Sequence, residues 1–102
     1  MNKIQAQHNY YVYILTNKNK TVIYTGVTNN LKERLYFHSN PEPFSKAFTA
    51  KYNVHYLVYY ELFTDINTAI QREKQIKGYS RKKKEVLINT FNPAWKFLNN
   101  EI

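Results

Sequence analysis

Two β-branched and aromatic runs, split by a short polar insert and followed at once by a helix-forming segment, leave this chain the least freedom. The runs are residues 10–15 (Tyr10, Tyr11, Val12, Tyr13, Ile14, Leu15) and residues 21–25 (Thr21, Val22, Ile23, Tyr24, Thr25), with Asn17, Lys18, Asn19 and Lys20 between them. Such residues favour a pleated, half-buried surface and the polar insert reads as a turn, so an antiparallel hairpin is expected. Period-2 alternation sorts Tyr11 and Tyr13 onto one face of the first strand and Val12 and Ile14 onto the other. Tyr24 is expected beside the tyrosine face. Gly26 is expected to close the second strand, at a strained turn or where another backbone comes close.

A helix should follow directly. Thr28, Asn29 or Asn30 can cap it, and Asn30 with Glu33 three residues on approaches a capping box. Leu31 and Leu35 are its apolar positions. At about 100° per residue, Arg34 and His38 fall within roughly 60° of Leu31, on the inward stripe. Burying an unpaired charge costs at least ~3 kcal/mol, so an inward Arg34 calls for an anionic partner or a cleft that receives one. The alternative is a half-exposed arginine running off the edge of the stripe.

Length and composition narrow the class. A chain of 102 residues supports one modest core, here expected as a lead-in over residues 1–9, one domain over 10–98 and a tail over 99–102. With 43% hydrophobic and 17% aromatic residues the chain is not a disordered one. Fifteen Lys and Arg stand against seven Asp and Glu, a formal +8, which points to a polyanionic partner and first of all to nucleic acid. The absence of cysteine excludes disulfides and zinc-thiolate sites. No apolar run approaches membrane-spanning length and the first residues lack a signal-peptide core, so a soluble, cytoplasmic chain is expected. Two glycines cannot build a glycine-rich phosphate loop. Asp65 is the only aspartate, which removes nucleases built on Asp/Glu clusters around two metals.

The rest of the chain reads as support. Residues 39–53 hold two prolines and suggest a loop with a short helical turn near 46–51. Residues 55–63 read as a third strand, apolar enough to lie centrally, with Glu61 sharing a face with His55, Leu57 and Tyr59. Thr64 or Asp65 caps a second helix whose stripe is Ile66, Ala69, Ile70, Glu73 and Ile76, ending at Gly78. Glu73 sits where an aliphatic residue is due. It is therefore the leading acid, with Glu61 second and an internal salt bridge to Arg34 as the structural alternative. Residues 72–85 carry seven basic and two acidic side chains, +5 of the total. Ser80 can cap a third helix with Val86, Leu87 and Phe91 inward, although Arg81, Lys82, Lys83 and Lys84 crowd a helix start where the macrodipole disfavours cations. Arg72, Lys74, Lys77, Arg81, Lys82, Lys83 and Lys84 are the candidate nucleic-acid contacts, with Gly26 added from the hairpin. Trp95 and Phe97 are expected to pack back onto the body. The class is α+β: a small three-stranded antiparallel sheet flanked by about three helices.

Two tyrosine-bearing strands, a glycine, Arg and His four apart on a helix, then a lone Glu on a later helix resemble the GIY-YIG endonuclease superfamily. The likeness covers about residues 10–97. Tyr11, Val12 and Tyr13 stand for the first motif and Tyr24, Thr25 and Gly26 for the second; residues 72–77 with Asn92, Pro93, Ala94 and Trp95 look like the small stand-alone bacterial branch. Tyr11 stands where the family name has Gly, Thr25 where it has Ile, and Val27 where a family lysine is usual. The family asparagine near the end corresponds to Asn92 or Asn89.

The resemblance implies metal-dependent hydrolysis of phosphodiester bonds in DNA, with RNA as the other nucleic acid open and with Mg²⁺ or Mn²⁺ as the divalent ion. Glu73 would hold the metal and Arg34 would steady transition-state charge. Tyr13 would be the general base, assisted by Tyr24 and His38, its phenol acidified by neighbouring cations; Tyr11 and Asn92 are further candidates. A tyrosine acting as covalent nucleophile is another use of the same parts. Little surface is left for reading bases, so selectivity for DNA structure is expected over selectivity for sequence. The alternative from another class is a non-catalytic nucleic-acid-binding module on the same fold, and a third is a basic domain that binds protein.

Overall fold

In the computed structural model, which describes residues 8–40 and 47–102, the most deeply buried stretch is the first strand. β1 (Tyr10–Thr16) pairs with β2 (Ile23–Thr28) on one side and β3 (Tyr56–Phe63) on the other, giving an antiparallel sheet of order β2-β1-β3. Val12, Tyr13, Ile14, Leu15 and Thr16 are all fully buried. The central position expected for residues 55–63 thus belongs to β1, because β1 alone has neighbours on both edges and helices over both faces.

The two faces follow the expected sorting. Val12 and Ile14 pack with Val58, Tyr59, Ala69, Ile76 and Ile88, beneath α3 (Ile66–Lys77) and α4 (Arg81–Phe91). Tyr13 and Leu15 pack with Leu31, Leu35, Val54, Leu57 and Leu98, beneath α1 (Leu31–Ser39), the segment after α2 (Phe48–Lys51) and the tail. The fold is therefore α+β, a three-stranded sheet held between helical layers.

Local chemistry sets the element ends. The Asn17 side chain accepts from the amides of Thr21 and Val22, which closes the hairpin turn. Asn30 caps α1 by accepting from the Glu33 amide, Asp65 caps α3 through Thr68, and Ser80 caps α4 through Lys83. Two details depart from expectation. β2 runs on through Gly26 to Thr28 with no positive φ at the glycine. In α4 the inward anchor is Ile88, whereas Val86 and Phe91 are exposed, because the helix turns its Leu87–Ile88 side to the sheet.

A bulge changes how β3 is read. Ile14 pairs with Tyr59 but Leu15 pairs with Leu57, so Val58 is an extra residue and the alternation shifts there. Leu57 consequently faces Tyr13, whereas Tyr59 and Glu61 face α3 and Glu61 no longer shares a side with Leu57. Asn92, buried as the residue that ends α4, donates to the Val58 carbonyl at this bulge and to the Lys96 carbonyl, and accepts from the Lys96 amide. Beyond it the tail covers the start of β3: Leu98 donates to the Leu57 carbonyl and Asn99 bonds Leu57 and His55. Trp95 is half-buried and Phe97 stacks on Tyr56. Most of the lead-in expected over residues 1–9, and Glu42 with the prolines of the loop after α1, lie outside the described residues.

Gly26 lies directly opposite Tyr13 in the β1–β2 register. A Cβ at position 26 would come 2.5 Å from the Tyr13 hydroxyl oxygen and 2.6 Å from Cζ. The close approach expected at this glycine is real, and its partner is the Tyr13 phenol instead of a backbone. The ring is fully buried and has no room to give way. Gly26→Ala is expected to destabilise the fold by about 1–3 kcal/mol, read as a lowered urea midpoint with an unchanged m value.

Candidate active site

Lying across Gly26, the Tyr13 ring carries its hydroxyl toward the side of β2, which is an edge strand. Helix α1 follows β2 within three residues and its capped start fixes its rotation, so Arg34 and His38 arrive one turn apart. His38 Nε2 lies 3.2 Å from the Tyr13 hydroxyl and His38 Nδ1 lies 3.0 Å from Thr49 Oγ1. With Nδ1–H donated to Thr49, Nε2 is left as the acceptor for the phenol proton. Thr49 is buried, and its backbone carbonyl accepts from the amide of core residue Val54. Sequence reasoning missed it, since a threonine in a short helix carries no distinguishing pattern.

Tyr24 completes the aromatic wall. Its ring meets His38 edge-on at 5.8 Å and Tyr13 at 6.4 Å. From the other side of the strand, α3 delivers Glu73, whose charge acts on the Tyr13 phenol. The Glu73 side chain is only 13% exposed and is held by Lys77 Nζ at 2.8 Å. Lys77 in turn stands 6.0 Å from the centre of the Tyr24 ring. The salt bridge to Arg34 expected as the alternative for Glu73 is thus made by Lys77, one helical turn away.

Arg34 is exposed, so the need for a buried counter-charge does not arise. It has no carboxylate within ion-pairing distance among the described residues, and it lines an open groove with Tyr10, Val27, Thr28, Asn29, Ile66 and Ile70. Its guanidinium nevertheless acts on the Tyr13 hydroxyl by charge and hydrogen bonding.

The electrostatics run against a phenolate. Burial pushes the Tyr13 phenol well above the ordinary tyrosine value, Tyr24 and Glu73 add to the rise, and Arg34 only partly offsets it. The acidified phenol expected from the surplus of cations is overturned by loss of water around the ring. His38 moves the opposite way: burial first, then the charges of Arg34 and His55, bring its imidazole down to about 4. At neutral pH it is an uncharged base.

The other candidates separate. Arg72 turns its guanidinium onto Glu61, at 2.9 Å, and onto Gln75 and Tyr79. Arg81 pairs with Glu85 and bonds the Thr21 carbonyl in the hairpin turn, and Lys83 lies over the Tyr79 ring. The basic segment, expected as nucleic-acid contacts, is thus partly consumed within the fold. Lys74, Lys82 and Lys84 keep no ion-pair partner among the described residues. Asn92 sits at the bulge and Asn89 bonds the Trp95 indole, so neither contacts these groups. Tyr11 packs edge-on against Tyr60.

A family model described as the GIY-YIG catalytic domain matches residues 9–86. The chain belongs to this family. The family is a nuclease superfamily, and the matched span contains Tyr13, Tyr24, Arg34, His38 and Glu73. A UPF0213 protein of Natronomonas pharaonis is 38% identical over 79 residues, covering 78% of this chain and 89% of that protein. A UPF0213 protein of Clostridium perfringens is 39% identical over 80 residues, covering 78% and 83%. The solution NMR structure of a UPF0213 protein from Bacillus halodurans matches with a TM-score of 0.54 and 28% identity, covering 85% of this chain and 89% of that one. No helix among the described residues is long and apolar enough to cross a membrane.

The donor set can be weighed against a divalent metal. Among the described residues no three His, Cys, Asp or Glu gather as ligands. Glu73 is a single shielded carboxylate that already binds one cation, the Lys77 ammonium. That fits a hard ion such as Mg²⁺, which keeps most of its water and takes one carboxylate plus substrate phosphate. It does not fit a zinc-type site.

The depressed His38 makes a pH prediction with a definite sign. Between its ordinary pKa near 6.5 and about 4 the unfolded chain binds the proton that the folded chain refuses, so stability falls as pH drops through that window. His55, also lowered by burial, contributes in the same direction. Urea midpoints measured from neutral pH down to pH ~4.5 are expected to fall, and to fall less steeply in His38→Gln.

Proposed function

We propose that this protein is an endonuclease that hydrolyses phosphodiester bonds in DNA, with a divalent metal bound at Glu73. The supporting observation is the meeting, at one edge of the sheet, of a dehydrated phenol, a neutral imidazole bonded to it, an exposed guanidinium and a shielded carboxylate.

Proton flow is the part these residues specify best. A water that attacks phosphorus passes its proton to the Tyr13 oxygen while the phenol proton passes to His38 Nε2. Imidazolium forms, the P–O bond breaks with its electron pair on the departing oxygen, which takes a proton from solvent, and no free phenolate is needed. With His38 Nδ1–H donated to Thr49 Oγ1, Nε2 is the nitrogen that accepts. Arg34 is exposed and has no carboxylate partner among the described residues, a position from which it can meet phosphate oxygens with two parallel donors. When bound, Mg²⁺ or Mn²⁺ supplies positive charge against the phosphate and the departing oxygen. Tyr24 walls the imidazole and seats Lys77 beside Glu73. Lys74, Lys82 and Lys84 can hold flanking phosphates without regard to base. Recognition by DNA structure rather than sequence follows from so small a surface.

Cleavage of labelled branched, single-stranded and duplex DNA in Mg²⁺ tests the reading. Glu73→Gln is expected to reduce cleavage to background, and His38→Ala by about 10²-fold or more. The rate of the unmodified protein should rise with an acid limb near the His38 value of about 4 and then level off by neutrality. A rate still climbing above pH ~10 would instead assign the base to a phenolate. DNA binding without cleavage by any form would leave a non-catalytic module.

A further inference from the structure

An aromatic run leaves the cleft at Tyr24 and continues to the surface. The Tyr24 and Phe48 rings are stacked with centroids 6.1 Å apart, and Phe48 meets Tyr52 at 4.8 Å. Phe48 is 46% exposed and Tyr52 43% exposed. Neighbouring open rings beside a polar cleft are an apolar surface that water disfavours, and a contiguous one marks a contact site. Ammonium groups flank both ends: Lys51 Nζ lies 5.4 Å from the Tyr52 ring centre and Lys77 Nζ 6.0 Å from that of Tyr24.

Rings that offer a face, bordered by cations, match one kind of polyanion. In a duplex each base is covered above and below by its neighbours and shows only its edges in the grooves. An unpaired base can give up a face, stack on an open ring and leave its phosphate to a nearby amine. Charge complementarity with a chain of net +8 favours the same occupant. We propose that Phe48 and Tyr52 form a stacking platform for unpaired bases of single-stranded DNA that leads into the cleft at Tyr24. The strand's substrate role rests on the nuclease reading; its binding does not.

The test is a binding measurement in EDTA, where no cleavage can occur, using a fluorescent oligothymidylate and a blunt hairpin duplex of equal phosphate number at one salt concentration. The unmodified protein is expected to bind the single strand about ten-fold more tightly than the duplex. Phe48→Ala should lose about ten-fold in affinity for the single strand and leave duplex binding unchanged. Phe48→Trp should retain the affinity and add an indole emission, beyond that of Trp95, which the oligomer quenches. Equal affinity for the two DNAs, an equal loss on both in Phe48→Ala, or an unquenched Phe48→Trp would overturn the platform. Tighter binding of oligouridylate than of oligothymidylate would overturn its assignment to DNA. A protein that passes these tests yet cuts nothing in Mg²⁺ keeps the platform and loses the nuclease reading. One that cuts duplex DNA while failing them does the reverse.

Discussion

The site depends on one contact, the Tyr13 phenol laid over a strand position that has no side chain. β1 is buried between two helical layers, so a side chain on it would ordinarily end inside the core. Opposite Tyr13 the neighbouring strand supplies Gly26, and the ring passes over the gap toward the sheet edge. There it reaches groups from helices that pack on opposite faces of the sheet. α1 brings Arg34 and His38 from one side; α3 brings Glu73 and Lys77 from the other. A bulkier residue at position 26 would obstruct that path, whatever happened to the polar groups around it.

Burial then sets the chemistry. The same loss of water raises the phenol and lowers the imidazole, so the two are driven apart in opposite senses and both stay neutral at physiological pH. A proton passed along the hydrogen bond they share leaves an imidazolium, and the phenol stays neutral only if its oxygen takes up another proton in the same step. The charged partners stand at the rim instead, with Arg34 in solvent and Glu73 held by Lys77. This division limits the cost of the site to a domain whose core has little stability to spare.

Local patterns were legible where chemistry is local. The hairpin, the sorting of Tyr13 from Val12 and Ile14, the Asn30, Asp65 and Ser80 caps, and α3 with Glu73 on its stripe could all be read from neighbours in sequence. Strand order could not, because the apolar run of residues 55–63 suits an edge covered by a tail as well as a centre. The face of Glu61 was misread because a bulge leaves no mark in an alternation count. The phenol's pKa was misjudged because net charge is visible in a sequence and dehydration is not. Thr49 was invisible for the same reason: its importance lies in what folds against it.

The extra residue at Val58 carries a consequence for how this chain tolerates change. Because one added residue reverses which side every later position of β3 presents, the strand holds two half-segments of opposite phase, joined where Asn92 takes up the Val58 carbonyl. Removing Val58 itself would leave Leu57 opposite Leu15 and Tyr59 opposite Ile14 in a regular ladder, whereas removing Tyr60 with the Ile14–Tyr59 pairing kept would turn the Glu61 carboxylate away from Arg72 and strand a guanidinium on α3. Within that strand, then, the bulge is the place where a loss of one residue leaves the facing of both halves intact, and elsewhere the same loss reverses it.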